Sequence, residues 1–382
     1  MFVEHDAVTD PRSTPPQSWN QSQIVGVLRE IKPHERRVSL TPQGASALVA
    51  DGRRVVVETG AGIGSGFRDD EYERAGAEIA PTADAVFESA TLLLHVKEPQ
   101  PSEFGKFRAH HTLFTYLHLA AAPEVADALC SAGCRAIAYE SVEIDRQLPL
   151  LAPMSMVAGR LATQIAASYL EARNGGRGML MGGLPGVEPT TVVVIGAGVS
   201  GRHAAEVAAG MGAEVIVVDL DLARAEAVAR DCGPLARAVE SRPGVVDDLA
   251  PTAEVIIGAV LAPGHKAPIV VTSRTLELMP EGSVVVDIAI DQGGCVEGVE
   301  ATTHSDPVRS MGHVRVSATP NMPAAVPRSS TAALTAATLP YVRSLAAGWS
   351  TATRQHPELV GAVNVESGRI VHPAVADELP RR

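Results

Sequence analysis

Four polar side chains follow apolar runs of the sequence, where the ends of parallel strands would lie. Arg37 follows the first such run, Lys97 follows LLLHV, His118 follows TLFTYL, and Asp291 lies within VVVDIAIDQGG. In open α/β sheets, ligands bind beyond the carboxyl ends of the strands. We therefore expect these four side chains to meet at the rim of one binding site.

The side-chain types suit a substrate that carries a carboxylate beside its reacting carbon. A guanidinium such as that of Arg37 holds a carboxylate through two charge-assisted hydrogen bonds, each worth about 1.5–3 kcal/mol. Lys97 is expected to polarise a carbonyl or to join this clamp. Histidine ordinarily titrates near neutrality, so His118 is the expected general acid and base, a role worth roughly 10²–10⁴ in rate. Asp291 is expected to orient or activate a water molecule.

Each of these residues also has a purely structural interpretation. Arg37 and Lys97 could be solvated surface cations, and His118, flanked by leucines, could be a hydrogen-bonded core histidine. Asp287, at the start of DIAIDQGG, could simply accept hydrogen bonds from backbone amides. The shared position of these residues at strand ends favours the functional interpretation.

A glycine-rich turn between two β-branched runs indicates a dinucleotide site. The run Val192–Ile195 enters GAGVSG, an alanine-rich helical segment follows, and the run Val215–Val218 ends on Asp219. In such an arrangement the glycines allow a tight turn, close approach of backbone amides to a diphosphate, and close packing of helix on strand. The helix N-terminus adds a partial positive charge. The residues expected to bind the cofactor are Gly196, Gly198, Val199, Ser200, Gly201 and Asp219.

Asp219 distinguishes between the two nicotinamide cofactors. Its carboxylate would accept hydrogen bonds from a ribose 2′-hydroxyl and repel a 2′-phosphate, which favours NAD, although nearby Arg224 leaves NADP open. With NAD as hydride acceptor, the four polar side chains fit the oxidation of an amino acid. The hydride leaves Cα, and water then attacks the resulting imine.

Short apolar runs alternate with helical segments, which predicts parallel sheets with helices on their faces. In the first half, Thr41 and Pro42 are placed to begin a helix over Pro42–Asp51. A second glycine cluster, Gly60–Gly66, is followed by three carboxylates that would repel phosphate, so it is interpreted as a flexible loop. The predicted strands are Ile24–Leu28, Val55–Glu58, Leu92–Val96, Leu113–Leu117, Ala136–Tyr139, Val255–Ile257, Val284–Val286 and Val314–Ser317.

Two long helical stretches predict how the chain divides into domains. One begins near Pro153, with Ser155 placed to cap it, and the other spans Ser330–Ala347, kinked or interrupted at Pro340. The expected organisation is an N-terminal flexible extension (1–22), a substrate domain (23–150 with 330–382) and an NAD-binding Rossmann domain (151–329). The predicted fold class is therefore α/β, with two Rossmann-like, doubly wound parallel-sheet domains joined by long helices and a hinged cleft between them.

Composition excludes several classes of partner. The net charge of −12 argues against nucleic acid and against an anionic membrane, and no apolar run approaches the length of a spanning helix. The N-terminus lacks the basic and apolar regions of a secretory signal. The four cysteines show no zinc-binding spacing, so no metal is expected. A cytoplasmic protein with reduced thiols is the expectation.

At a finer level, the sequence resembles the alanine dehydrogenase family, which also includes the NAD-binding α subunit of transhydrogenase. The matching blocks include REIKPHERRVSLTP, VKEP, TYLHLAA, LLAPMSMVAGRLA, GGRGMLMGGLPGVEP, VVVIGAGVSG, VVVDIAIDQGG and NMPAAVP. The resemblance implies reversible conversion of L-alanine, NAD and water to pyruvate, ammonia and NADH, usually by a homohexamer. It also implies substrate binding by Arg37 and Lys97 and catalysis by His118 and Asp291. Ser155 and Asn321 join Asp219 and the glycine turn as implied cofactor contacts.

Some positions depart from the usual pattern of that family. Met156 stands where Glu is usual, Ala324 replaces a Gly, His95 replaces a common Lys, and Thr319-Pro320 replaces another pair. These departures leave two alternatives open. One is the same chemistry on another small amino acid or 2-oxo acid, such as glycine and glyoxylate, and the other is a transhydrogenase-type NAD(H)-binding subunit.

Overall fold

The computed structural model describes residues 17–261 and 266–379. Over these residues the chain forms two compact units. The first unit runs to Pro153 and resumes at Val326, and the second unit runs from Met154 to Ala325. Each unit is built on one sheet with helices between successive strands.

The first unit begins with six parallel strands in the order β3-β2-β1-β4-β5-β6. The strands are β1 (Val25–Val27), β2 (Val55–Glu58), β3 (Glu78–Ala80), β4 (Leu92–Leu94), β5 (Thr112–Thr115) and β6 (Arg135–Ala138). The helices are α1 (Pro42–Ala50), α2 (Asp69–Arg74), α3 (Ala83–Ser89) and α4 (Pro123–Ala132). All of these strands except β3 are buried along their whole length, as expected for a sheet covered on both faces.

Helix α5 (Ala152–Tyr169) leads into the second unit, whose sheet has the order β12-β13-β11-β10-β7-β8-β9. The strands are β7 (Thr191–Ile195), β8 (Glu214–Asp219), β9 (Ala236–Glu240), β10 (Val255–Gly258), β11 (Val284–Asp287), β12 (Arg309–Met311) and β13 (Val314–Ser317). The helices are α6 (Val199–Gly210), α7 (Leu222–Cys232), α8 (Val245–Leu249) and α9 (Ser273–Leu278). Apolar clusters built from alternate residues of the central strands, such as Val192 and Val193, form the core of this unit.

The C-terminal segment completes the first sheet. It contains α10 (Pro327–Ala346), α11 (Trp349–Gln355), β14 (Val363–Glu366), β15 (Arg369–Ile370) and α12 (Pro373–Glu378). β14 pairs antiparallel with β6, and β15 pairs antiparallel with β14. The predicted class of two doubly wound, Rossmann-like sheets is confirmed, with the addition that each sheet ends in antiparallel edge strands, β12 in the second unit.

The glycine cluster at 60–66 is not the flexible loop that its composition predicted. Residues Ile63–Ser65 form a 3-10 helix, and the polar helix α2 follows at once. The carboxylate of Asp69 accepts hydrogen bonds from Thr59 Oγ1 (2.6 Å) and Gly60 N (2.9 Å), which ties the loop to α2. A Cβ on Gly64 would lie 2.6 Å from Arg36 O, so this segment packs directly on the backbone beside Arg37.

The two long helices differ in detail from their predicted forms. Helix α5 begins at Ala152, so Ser155 lies inside it and does not cap it. Helix α10 continues through Pro340, and the predicted interruption is wrong. Proline removes one backbone hydrogen bond, but Thr338 before it and Tyr341 after it are buried by packing, which holds the helix together. None of the helices in the described residues is both long and apolar enough to cross a membrane.

The predicted flexible extension also needs correction at its end. Residues 1–16 lie outside the described residues, but residues Gln17–Asn20 form a 3-10 helix, and Trp19 is only 2% exposed. The guanidinium of Arg135 lies 4.0 Å from the Trp19 ring and 3.9 Å from the Trp349 ring. Two indoles therefore cover this buried cation, which is a favourable cation–π arrangement.

Candidate functional site

The glycine turn joins β7 to α6 through residues 196–198. Gly196 has a φ of 103°, and a Cβ there would lie 2.6 Å from Ala259 O. At Gly201 a Cβ would lie 1.7 Å from Gly196 O, so only glycine lets the helix approach the turn. Gly198 is different, since a Cβ there would meet no atom within 4 Å. Open space beside the first amides of α6 fits a diphosphate.

Asp219 holds the glycine turn from the end of β8. Its Oδ2 accepts a hydrogen bond from Ala197 N (2.6 Å), and its Oδ1 accepts one from Asp221 N (2.9 Å). A carboxylate oxygen has a second lone pair, so a ribose hydroxyl can still donate to Asp219. Arg224, which left NADP open, lies 3.8 Å from Asp221 through an exposed side chain.

Small residues bring α5 against the N-terminus of α6. A Cβ on Gly159 would lie 2.1 Å from Ser200 O, and Thr163 Oγ1 donates to Ala204 O (3.0 Å). Ser155 lies one turn before Gly159 and therefore on the same face of α5.

Asp291 and Asn321 meet at the carboxyl ends of β11 and β13. Asp291 lies in a 3-10 helix, Ile288–Gln292, that follows β11, and it is exposed. Asn321 N donates to both carboxylate oxygens of Asp291, at 3.1 and 3.2 Å. Asn321 has a φ of 52°, a left-handed conformation that Asn adopts more readily than most residues. Two predicted site residues are therefore in direct contact.

Asp287 serves the fold, as its structural interpretation predicted. It is fully buried at the end of β11, and its Oδ2 accepts hydrogen bonds from Cys295 N (2.8 Å) and Val296 N (3.3 Å). Burial raises the pKa of Asp287. The carboxylate anchors the turn that follows the 3-10 helix bearing Asp291.

In the first unit, the predicted residues follow adjacent strands of the sheet. Arg37 follows β1, Lys97 follows β4, and His118 follows β5, while Glu140 follows β6. These strands lie side by side in the order β6-β5-β4-β1, and all are parallel. Their carboxyl ends therefore gather the four side chains at one rim of this unit.

Arg37 is buried, and its interpretation as a solvated surface cation is wrong. Its Nε donates to Glu35 Oε1 (2.7 Å), and its Nη2 donates to Glu35 Oε2 (2.5 Å). Burial alone would lower the pKa of Arg37, but the hydrogen bonds and charge of Glu35 raise it above its usual value. Glu35 thus fixes the plane of the guanidinium. The charge on Arg37 also interacts with the Tyr116 hydroxyl.

Lys97 is half-buried, and both its backbone N–H and its backbone carbonyl are hydrogen-bonded to side chains. Lys97 N donates to Glu30 Oε2 (3.3 Å), and Thr115 Oγ1 donates to Lys97 O (2.9 Å). Lys32 and Glu98 form an ion pair between the loop after β1 and the loop after β4. The segments that carry Arg37 and Lys97 are therefore connected by charged contacts.

His118 is not a core histidine, because its side chain is 44% exposed. Its backbone is left-handed, with a φ of 47°, and His118 N donates to Glu140 Oε1 (2.6 Å). Its Nδ1 lies 3.7 Å from the same oxygen, and its ring lies parallel to that of Tyr116 with centroids 6.0 Å apart. A left-handed non-glycine residue costs about 1–3 kcal/mol and is concentrated at functional sites.

The predicted catalytic pair is divided between the units, with His118 in the first and Asp291 in the second. Each unit by itself presents one of the pair as an exposed side chain: His118 is itself left-handed, and Asp291 accepts from the left-handed Asn321. The first unit adds the buried, oriented guanidinium of Arg37, and the second adds a turn with room for a diphosphate.

Comparison with known proteins identifies the family. The family model described as "Alanine dehydrogenase/PNT, N-terminal domain" matches residues 26–158, and the corresponding C-terminal domain model matches residues 162–373. The chain belongs to the alanine dehydrogenase/PNT family. The alanine dehydrogenase of Mycolicibacterium smegmatis is 47% identical over 358 residues, which cover 93% of this chain and 96% of that protein.

Two solved structures in the same family resemble the fold. A structure named L-alanine dehydrogenase matches with a TM-score of 0.90 and 44% identity, covering 93% of this chain and 99% of that chain. A transhydrogenase from Sinorhizobium meliloti matches with a TM-score of 0.78 and 30% identity, covering 92% of this chain and 99% of that chain.

The departures from the usual alanine dehydrogenase pattern fall in different environments. Met156 is 40% exposed on α5, whereas Ala324 is buried in the 3-10 helix Met322–Ala325. Thr319 is buried and its Oγ1 lies 2.8 Å from Thr302 Oγ1. His95 is buried between two carboxylates, Glu30 and Glu103.

Sequence analysis missed the carboxylates that hold the predicted residues of this alanine dehydrogenase-like site. Glu35 holds Arg37, Glu30 accepts from Lys97 N, and Glu140 accepts from His118 N. The signal that could have identified these glutamates is their position, since each of them follows a buried strand at the same sheet edge.

Proposed function

We propose that this chain catalyses the reversible, NAD-dependent oxidative deamination of L-alanine to pyruvate and ammonia. The observation that carries the proposal is the 47% identity to an alanine dehydrogenase across 93% of the chain. In the forward direction L-alanine, NAD and water give pyruvate, ammonium, NADH and a proton. The transhydrogenase alternative is weaker, because that match has 30% identity.

The residues of the first unit are assigned to the substrate. Arg37, oriented by Glu35, binds the carboxylate through its guanidinium. Lys97 joins this clamp and polarises the carbonyl of pyruvate. His118 exchanges a proton at the reacting carbon, with Glu140 holding its backbone in place.

The residues of the second unit are assigned to the cofactor and to water. NAD, when bound, accepts the hydride from Cα. The turn of Gly196, Gly198, Val199, Ser200 and Gly201 is assigned to the diphosphate, and Asp219 to a ribose. Ser155 and Asn321 complete the cofactor contacts. Asp291 orients the water that attacks the imine carbon. The homohexamer that the resemblance implies and the cytoplasmic location expected from the sequence both stay predictions.

Substrate profiling tests the proposal. NADH absorbance is followed with purified protein, NAD and a panel of L-amino acids and glycine, and in reverse with ammonia and pyruvate or glyoxylate. We expect L-alanine and pyruvate to give the highest kcat/KM. His118→Ala should lower kcat by roughly 10²–10⁴, whereas the exposed His110→Ala should not.

The other outcomes separate the alternatives. A clear preference for glycine and glyoxylate would favour the variant substrate. NAD(H) binding without turnover of any amino acid would favour a transhydrogenase-type binding subunit and overturn the proposal.

A further inference from the structure

A buried histidine between two carboxylates lies two residues before Lys97. His95 Nδ1 is 3.2 Å from Glu30 Oε1, and His95 Nε2 is 3.3 Å from Glu103 Oε1. The three side chains are 2%, 3% and 5% exposed, respectively. Two carboxylates that are so fully buried require a cation beside them. Burial by itself would lower the pKa of His95, but Glu30 and Glu103 raise it to about 10, so the ring supplies that cation.

The two carboxylates also bind the backbone on either side of Lys97. Glu30 Oε1 accepts a hydrogen bond from Val96 N (2.6 Å), and its Oε2 accepts one from Lys97 N (3.3 Å). Glu103 Oε2 accepts a hydrogen bond from Gln100 N (2.7 Å). The cluster of Glu30, His95 and Glu103 therefore sets the path of the chain from 96 to 100.

His95 itself is fixed by the neighbouring strands. His95 N donates to Phe114 O (3.3 Å), and the buried hydroxyl of Tyr139 donates to His95 O (3.2 Å). The ring thus has a rigid backbone beneath it and one carboxylate at each nitrogen. A side chain held in this way keeps its positive charge at a defined position between the two carboxylates.

Stability alone is a poor explanation for the cluster. Replacing a buried ion cluster by well-packed apolar side chains is often neutral or stabilising. What an apolar replacement cannot do is keep a cation beside Glu30, whose carboxylate accepts hydrogen bonds from two consecutive amides. Those amides belong to the residue assigned to the substrate and to the residue before it.

We propose that the cluster of Glu30, His95 and Glu103 positions Lys97 for the substrate, with His95 as a positioning residue. The inference rests on the proposed function, in which Lys97 contacts the substrate. Without a cation at position 95, the two carboxylates repel each other across the site, and Glu30 leaves the Val96 and Lys97 amides. The backbone of Lys97 then shifts, and its ammonium group is displaced from the substrate.

Three variants test this role by steady-state kinetics. His95→Gln removes the cation, and His95→Lys restores it with the residue common in the family. His111→Gln is the matched control, because His111 is also buried in the first unit. Within the described part of the chain its ring nitrogens bond only backbone groups, Phe87 O and Arg108 N, each at 3.0 Å.

We expect His95→Gln to raise KM for pyruvate at least tenfold while kcat and KM for NADH change less than threefold. His95→Lys should stay within threefold of the parent in all three constants. His111→Gln should lower the melting temperature without changing KM for pyruvate. The inference is overturned if folded His95→Gln keeps the parent KM, or if His95→Lys is as impaired as His95→Gln.

Two further measurements separate this inference from the proposed function. If Lys97→Ala leaves KM for pyruvate unchanged, the role assigned to Lys97 is wrong, and the inference falls with it. If Lys97→Ala raises KM and His95→Gln does not, only the inference fails. NMR of ring-labelled histidine in the intact protein should show His95, assigned by its loss in His95→Gln, doubly protonated at pH 8. A neutral ring at that pH would overturn the inference without reference to activity.

Discussion

The two units place their strands in the same order but connect the first strand to the first helix in different ways. The orders are β3-β2-β1-β4-β5-β6 and β9-β8-β7-β10-β11-β13. In the second unit, β7 reaches α6 through residues 196–198 alone. In the first unit, β1 reaches α1 through residues 28–41, a segment that holds Arg37 and its partner Glu35.

This difference shows how one topology offers two kinds of anion site. The short connection leaves backbone amides and a helix N-terminus at the sheet edge, which suit the spread charge of a diphosphate. The long connection places a guanidinium held by a carboxylate at the same edge, which suits the planar fork of a carboxylate. Backbone changes should therefore damage one site, and side-chain charge changes the other.

The largest expected effect is at Asp291, the residue of the second unit whose side chain is assigned to the reaction. Asp291→Asn removes the charge assigned to the water, yet the amide oxygen can still accept from Asn321 N. We expect kcat for alanine oxidation to fall by roughly 10²–10⁴. Steady-state NADH formation measures it, with the exposed Asp231→Asn as control. An unchanged kcat would remove Asp291 from the mechanism.

A smaller effect is expected when the planar guanidinium of Arg37, in the first unit, is replaced by the single ammonium group of a lysine. Arg37→Lys keeps the charge beside Glu35 but loses the two parallel hydrogen bonds. Losing one charge-assisted bond to substrate, about 1.5–3 kcal/mol, should raise KM for pyruvate roughly ten- to a hundredfold. KM for NADH should not change. A parallel rise in both constants would indicate a general loss of structure.

Gly198 in the short connection and Gly201 in the first turn of α6 form a matched pair. Gly198→Ala adds a methyl group where no atom lies within 4 Å, so folding should be unaffected. That methyl group would occupy the space assigned to the diphosphate, so KM for NAD should rise roughly tenfold, equivalent to about 1.4 kcal/mol. Gly201→Ala, whose Cβ would lie 1.7 Å from Gly196 O, should instead lower the melting temperature. Equal melting temperatures for the two variants would contradict this division.

The smallest expected effect is on stability alone. Thr41 ends the long connection and caps α1, accepting a hydrogen bond from Gly44 N (3.1 Å) through its side chain. Thr41→Ala should reduce the free energy of unfolding by about 1 kcal/mol, measured by urea denaturation. KM for pyruvate should remain that of the parent, and a change in KM would connect this cap to the substrate residues.

Local signals predicted the elements well where neighbouring residues decide them. Strands Val55–Glu58 and Val314–Ser317 were predicted with their observed bounds, and the cap of α1 was found from Thr41 and Pro42. The errors concern long-range contacts. The segment 60–66 was predicted to be a flexible loop, but Asp69 ties it to α2 and its Gly64 packs on Arg36.

The segment around Trp19 is a second case in which a long-range contact overrode the local sequence pattern. A polar, proline-rich composition predicted a flexible extension through residue 22. Yet Trp19 is buried against Arg135, which lies more than a hundred residues later in the chain. A tryptophan in a polar context carries no local signal of the cation it will cover.

By itself, the sequence determined the fold class, the glycine turn and the polar residues that follow the strand ends, because period, turn chemistry and position are local properties. Only the tertiary structure decided which of those residues are buried, and which carboxylate orients each one. Glu30 and Glu140 reach the Lys97 and His118 amides only because strands distant in sequence lie side by side. Glu35 is only two residues from Arg37, and what the tertiary structure decided there is the burial of both side chains. Burial then makes those contacts strong, since water no longer competes for the charges.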